Sequence, residues 1–96
     1  MTITQLRYTL AVAEHGNFTT ASDKCFVTQP TLSMQVQKLE EELGVIIFNR
    51  STKPLQVTEI GEKVLSQAKK IVEESLRMDD VCKVSADVRN KNVIWR

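Results

Sequence analysis

Ninety-six residues, 42% of them hydrophobic, with three glycines and two prolines, suit one small, mostly helical domain with a modest core. Charge is almost balanced at 13 Lys and Arg against 12 Asp and Glu, a net +1, and residues 1–58 carry five of each sign; no strongly basic field marks the chain as a polyanion binder. No apolar run reaches membrane-spanning length and no charged-then-apolar leader precedes the first element, so the expectation is a soluble, cytoplasmic protein with no membrane partner.

In chain order, Ile3, Leu6, Leu10 and Ala13 recur at helical spacing, with Tyr8 and Val12 widening the face. The spacing predicts a first helix from about Thr2 to Glu14, opened by a Thr2–Gln5 capping box and closed by His15-Gly16. Asn17 is a good cap for a short second helix whose inward face is Phe18, Ala21 and Cys25. The small residues Ala21 and Ser22 let neighbouring helices approach closely. A tight turn leads to Thr28, which caps a third helix with Pro30 in its first turn, where a missing N–H costs little.

Leu32, Val36, Leu39 and Leu43 form the buried stripe of that third helix. Away from the stripe, its first turn presents Gln29, Pro30, Thr31 and Ser33, with Met34 and Gln37 one turn on. An uncharged, hydrogen-bonding surface on a helix braced by a short helix is the geometry of a helix-turn-helix reading DNA bases. The plainer alternative is an αα-corner inside a helical bundle.

After Gly44 the pattern becomes β-branched and alternating. Val45–Phe48 and Leu55–Val57 are expected to pair as a hairpin around Asn49–Pro54, with Pro54 restricting it to an edge. Arg50 and Lys53 are the charges of this wing, both positive, suited to phosphate contact by Arg50 and to phosphate or minor-groove contact by Lys53. Thr58 then caps a long helix, with Glu59 near its positive end. There Val64, Ile71 and Met78 repeat every seven residues, Ala68, Ser75 and Cys82 repeat four residues later, and Leu65 and Val72 line the adjacent edge. The stripe is longer than a compact domain needs, which favours a two-helix seam between subunits over a helix lying across its own core.

Together, F-x-x-A-S-x-x-C-x-V-T-Q-P-T-L-S-x-Q-V-x-K-L-E-x-E-L-G-V-x-x-F-x-R, from Phe18 to Arg50, closely resembles the DNA-binding domain of LysR-type transcriptional regulators. Q-P-T-L-S and the preceding Cys25 look most like the OxyR peroxide-sensing branch, and the resemblance runs without a gap from about Met1 to Ser75. It implies a winged helix-turn-helix, a linker helix that pairs antiparallel between two chains, and a first helix that packs against the partner's linker. Three positions depart from the family pattern. Ser22 stands where Ala is usual, and Thr20 and Gln37 stand where Arg or Lys is common, which removes possible phosphate contacts. In the OxyR branch the reactive cysteines belong to a sensor domain that Lys83 onward does not resemble, so this segment is expected to be redox-blind.

The reading is thus a mainly α winged helix-turn-helix with a small β-hairpin at 1–58, a linker and dimerisation helix at 59–82, and an unassigned tail at 83–96 without the effector-sensing domain. The chain is expected to be a truncated regulator, an excised domain or a natural minimal form. Its expected partners are double-stranded DNA and a second copy of itself, with higher oligomers in a full-length form. Gln29 suits a bidentate bond to adenine and Thr31 a thymine methyl, with Pro30 and Ser33 on neighbouring bases or sugar. Thr28, Gln37 and Lys38 would position the backbone. Val64, Ala68, Ile71, Ser75, Met78 and Cys82 would form the seam. No cofactor or metal is expected: the two cysteines lack ligand spacing and His15 lacks ligand partners. An enzyme is disfavoured by the absence of a nucleophile–base pair and of a glycine-rich phosphate loop. A helical interaction module without DNA binding is the rival from another class.

Overall fold

The computed structural model describes the backbone of residues 1–89 and the side chains of residues 1–83. Four helices and one hairpin follow in the order α1 (Ile3–His15), α2 (Phe18–Lys24), α3 (Gln29–Leu43), β1 (Phe48–Asn49), β2 (Gln56–Val57) and α4 (Glu59–Arg89). The capping residues read from the sequence do their work. Thr2 and Gln5 form the reciprocal box, Asn17 Oδ1 accepts from the Thr20 amide, and Thr28 Oγ1 accepts from the Thr31 amide. Gly16 and Gly44 end α1 and α3 in the left-handed conformation, at φ 75° and 71°.

The core is made by α1 packing on α2, α3 and α4, closed by the residues that lead into the hairpin. Leu6, Val12, Ala21, Leu32, Val36, Leu39, Ile47, Phe48, Leu65 and Ala68 are buried in it. The inward face of α1 differs from expectation in one respect. Thr9 is fully buried while Ile3 is partly exposed, which is tolerated because the Thr9 hydroxyl donates to the Gln5 carbonyl at 2.8 Å. Leu43, expected in the α3 stripe, is exposed: α3 outruns the core, and Leu43 borders an open apolar groove with Met1, Leu6, Val64, Ala68 and Ile71.

The hairpin is shorter than the alternation predicts. Each strand has two residues, with Phe48 opposite Val57 and Asn49 opposite Gln56. The amides that would have begun the ladder are already taken. Val45 N–H donates to the Glu40 carbonyl at 3.1 Å, and Ile47 and Phe48 N–H donate to Glu40 Oε2 at 2.7 and 3.2 Å. One α3 carboxylate, 6% exposed, therefore anchors the chain that enters the wing. Every buried side-chain nitrogen and oxygen among the described residues has a hydrogen-bond partner.

Thr58 opens α4 as expected. Its Oγ1 accepts from Gly61 N–H at 3.0 Å and donates to the Ile46 carbonyl, while its own N–H donates to the Ile47 carbonyl at 2.8 Å. The helix start is thereby pressed onto the backbone at Ile47. Gly61 sits at that contact, and a Cβ there would stand 2.5 Å from the Ile47 carbonyl oxygen.

The proximal half of α4 packs on the domain's own core. Ala68 is buried, and Val64 and Ile71 are half-buried against the core within the single chain. From Leu76 to Lys83 the helix runs exposed, with Leu76, Met78 and Val81 uncovered. It also continues to Arg89, past the expected end at Cys82. Residues 90–96 of the tail lie outside the described residues.

Two substitutions test this construction by urea denaturation at fixed protein concentration. Gly61→Ala should lose about 1–3 kcal/mol to overpacking despite the better helix propensity of alanine, because the obstructing atom is backbone. Glu40→Gln should cost about 2–3 kcal/mol, since the amide keeps the shape but puts an N–H2 group where donors converge. Unchanged midpoints would show that the Ile47 region yields easily.

Candidate nucleic-acid interface

The interface is built from the short helix outward. Asn17 fixes the first turn of α2 through the Thr20 amide at 2.6 Å. Ala21 and Ser22 then bury against the neighbouring helices. The Ser22 hydroxyl donates to the Thr19 carbonyl at 2.7 Å, so the serine in place of the usual alanine enters the core with its polar group satisfied.

Cys25 is the C-cap of α2, half-buried against the core together with Phe18 as its spacing predicts, and its amide donates to the Ala21 carbonyl at 2.9 Å. Half-burial pushes its thiol pKa up by desolvation, away from thiolate reactivity. Phe26 takes φ 58° and is 94% exposed, so the turn bends through a bulky residue where a glycine would be ordinary. No hydrophobic pattern in the sequence announces this. The amide of Val27 donates back to the Ser22 carbonyl at 3.1 Å and closes the turn.

Helix α3 then begins at a fixed angle. Thr28, Gln29, Pro30 and Thr31 are exposed on its first turn, with Met34, Gln37 and Lys38 exposed beyond and Ser33 half-buried between them. Four of these side chains are already engaged, through three hydrogen bonds. The Thr28 hydroxyl donates to Thr31 Oγ1 at 2.8 Å, the Thr19 hydroxyl donates to Gln29 Oε1 at 3.2 Å, and Arg50 Nη1 donates to Ser33 Oγ at 3.1 Å. Thr19 did not figure among the expected interface residues. Only its spacing from Asn17 on a short helix could have suggested it.

Arg50 is held within the chain on three sides. Its Nη2 donates to Glu40 Oε1 at 3.2 Å, and its guanidinium lies over the Phe18 ring, 4.6 Å from the centroid. Phe18 meets Phe48 edge to face at 6.0 Å. The residue expected to contact phosphate from the wing thus also ties the end of β1 to α2 and α3. Lys53 is exposed near the hairpin tip, and an open groove of about 590 Å³ separates α3 from the wing, lined by Gln37, Glu40, Ile46, Asn49, Arg50 and Ser51. No cluster of three potential metal ligands occurs among the described residues, and no helix among them is long and apolar enough to cross a membrane.

The structure brings the α3 positions and the wing to one face. It separates the residues expected in a seam into a core-facing group of Val64, Ala68 and Ile71 and a distal group of Ser75, Met78 and Cys82.

Comparison with known proteins gives the same architecture a family. Residues 3–62 match the family described as bacterial regulatory helix-turn-helix protein, lysR family. The DNA-binding transcriptional dual regulator OxyR of Escherichia coli K12 is 43% identical over 74 residues, which cover 77% of this chain and 24% of that protein. A full-length OxyR variant from Pseudomonas aeruginosa superposes with a TM-score of 0.84 at 42% identity, covering 88% of this chain and 28% of that one. The BenM DNA-binding domain, solved in complex with catB site 1 DNA, superposes with a TM-score of 0.86 at 38% identity, covering 90% of this chain and 97% of that one. The chain thus spans about a quarter of the length of the full regulators it matches. A winged helix-turn-helix with a long C-terminal helix, matched over residues 3–62, makes this chain a member of the LysR family of bacterial regulatory helix-turn-helix proteins.

Proposed function

We propose that the chain is the sequence-specific DNA-binding module of an OxyR-like regulator. It binds an interrupted palindrome as a homodimer, each copy placing α3 in a major groove. The observation that carries this reading is the first turn of α3: capped, uncharged, exposed, and held at a set angle by α2 and the wing. The positive end of the α3 dipole also favours an approaching phosphate, although Pro30 brings no N–H and the Thr31 amide is given to Thr28 Oγ1. The relative solved with DNA has the same architecture. The names of the relatives describe regulators, and no reaction is assigned to this chain; a module of this kind works in the cytoplasm.

Gln29 is the principal base reader, through a bidentate bond to adenine. Thr31, with its hydroxyl tied to Thr28, has its methyl left for a thymine methyl. Pro30 and Ser33 meet neighbouring bases or sugar, and Met34 extends the apolar edge. Thr28, Gln37 and Lys38 position the phosphate backbone. Lys53 is the wing's free cation, on phosphate or in the minor groove. Arg50 reaches the backbone only with the N–H groups that Glu40 and Ser33 leave over.

For assembly, Ser75, Met78 and Cys82 form the seam together with Leu76 and Val81. The groove of about 240 Å³ between Met1, Leu43, Val64, Gln67, Ala68 and Ile71 receives the partner's helix over its proximal half. A full-length form carrying a sensor domain would extend this to higher oligomers.

Selection of bound sequences from random duplexes tests the reading directly. Two half-sites separated by a fixed spacer are expected, and enrichment of no sequence would leave the rival interaction module standing. On the selected duplex, Gln29→Ala should cost about 1–3 kcal/mol while barely affecting random DNA. Equal losses on both would make Gln29 a backbone contact. Assembly is checked by sedimentation at micromolar concentration. Met78→Glu, at a position 68% exposed in the single chain, should give monomers with unchanged helical content, whereas Glu73→Lys should leave the dimer intact. A dimeric Met78→Glu protein would move the seam off the distal helix.

A further inference from the structure

The Gln29 side chain has three rotatable bonds before its carboxamide, and ordering them on a base edge opposes binding. A side chain that arrives already oriented avoids much of that loss. Thr19 supplies such a constraint from the neighbouring helix, because its hydroxyl donates to Gln29 Oε1 at 3.2 Å. Thr19 is itself well held. Its turn is capped by Asn17 through the Thr20 amide, and its carbonyl accepts the Ser22 hydroxyl at 2.7 Å. Ser22 is 3% exposed, so this brace is rooted in the core.

We propose that Thr19 is a positioning residue for base recognition, holding the Gln29 carboxamide in the plane it uses on DNA; this rests on the reading of Gln29 as a base contact. The hydroxyl occupies one lone pair of Oε1. The second lone pair and both N–H groups of Nε2 stay available, which is the set a bidentate bond to adenine requires: Nε2 donating to N7 and Oε1 accepting from the N6 amino group. The exclusion of water on binding strengthens the Thr19 bond at the moment it is needed. Specificity at one base pair therefore depends on a residue that need not touch DNA.

A double-mutant cycle in the full 96-residue chain tests this. Its readout is the ratio of affinities for the duplex the wild-type chain selects from a random pool and for a random-sequence duplex of equal length. Thr19→Val keeps the shape and removes the hydroxyl, and should lower that ratio about 3- to 10-fold, the scale of one neutral hydrogen bond. Thr19→Ser should stay near wild type, and Thr19→Val added to Gln29→Ala should cause no further loss. Thr19→Ala, a better helix former, repeats the measurement should valine disturb α2. An unchanged ratio in Thr19→Val, or an equal loss with and without Gln29, would overturn the proposal. In the second case Thr19 contacts DNA on its own account. If Gln29→Ala alone leaves the ratio unchanged, the base-reading role of Gln29 has failed, a result visible without any Thr19 variant, and its positioning by Thr19 falls with it.

Discussion

The Glu40 carboxylate is the constraint on which the geometry of the interface depends. It sits on the inner side of α3, accepts the amides of Ile47 and Phe48 with one oxygen, and accepts Arg50 with the other. A buried carboxylate is costly unless it is hydrogen-bonded, and here three donors from the single stretch Ile47–Arg50 satisfy it. The wing therefore cannot swing freely from the end of α3. Arg50 carries the constraint further, to Ser33 on the exposed edge of the same helix and to the Phe18 ring on α2. Both helices of the reading motif and the base of the wing are thus registered against one side chain.

That arrangement changes how a nearly neutral domain would hold a polyanion. Arg50 gives much of its charge to Glu40, leaving Lys38 and Lys53 as the exposed cations nearest the reading surface among the residues considered for contact. With few phosphates neutralised directly, the salt dependence of binding should be shallow for a DNA-binding module. More of the free energy would then come from placed, neutral donors: the Gln29 carboxamide and the hydroxyls of Thr31 and Ser33. Such groups are directional, so they reward fixed geometry. The network around Glu40 and the brace from Thr19 provide it.

Much of this was legible from residue types alone, because caps and glycines act locally. Thr2, Asn17, Thr28 and Thr58 each cap the helix expected of them, and the exposed turn from Thr28 to Thr31 follows from Pro30 and the Leu32–Val36–Leu39 stripe. What the pattern could not carry was competition between partners. Val45–Phe48 alternates as a strand should, yet its amides go to Glu40, and a periodicity argument does not see that carboxylate. Arg50 looks like a free wing cation until Glu40 and Phe18 are placed beside it. Gly61 reads as an indifferent helix residue, and only the approach of the Ile47 carbonyl gives it a role. Thr9 looks polar and exposed until its hydroxyl is seen to donate to the Gln5 carbonyl.

The long helix shows why a heptad stripe alone does not say what covers it. Val64, Ala68 and Ile71 share one register with Ser75, Met78 and Cys82, and a single buried surface would satisfy the pattern. The structure divides it instead, the first three residues packing on the domain's own core and the last three running free of it. A helix of 31 residues rises about 46 Å at 1.5 Å per residue, well beyond the reach of a core built from three short helices. Its exposed apolar residues Leu76, Met78 and Val81 are left uncovered among the described residues. An antiparallel partner would lay its distal segment along the groove beside Leu43 and Ile71 while offering its own groove in return, so one stripe would serve both as core and as seam. The separation of two α3 helices on DNA would then be set by where that stripe crosses from one use to the other. That crossing would lie between Ile71 and Leu76, a single turn of helix that would tie domain packing to half-site spacing.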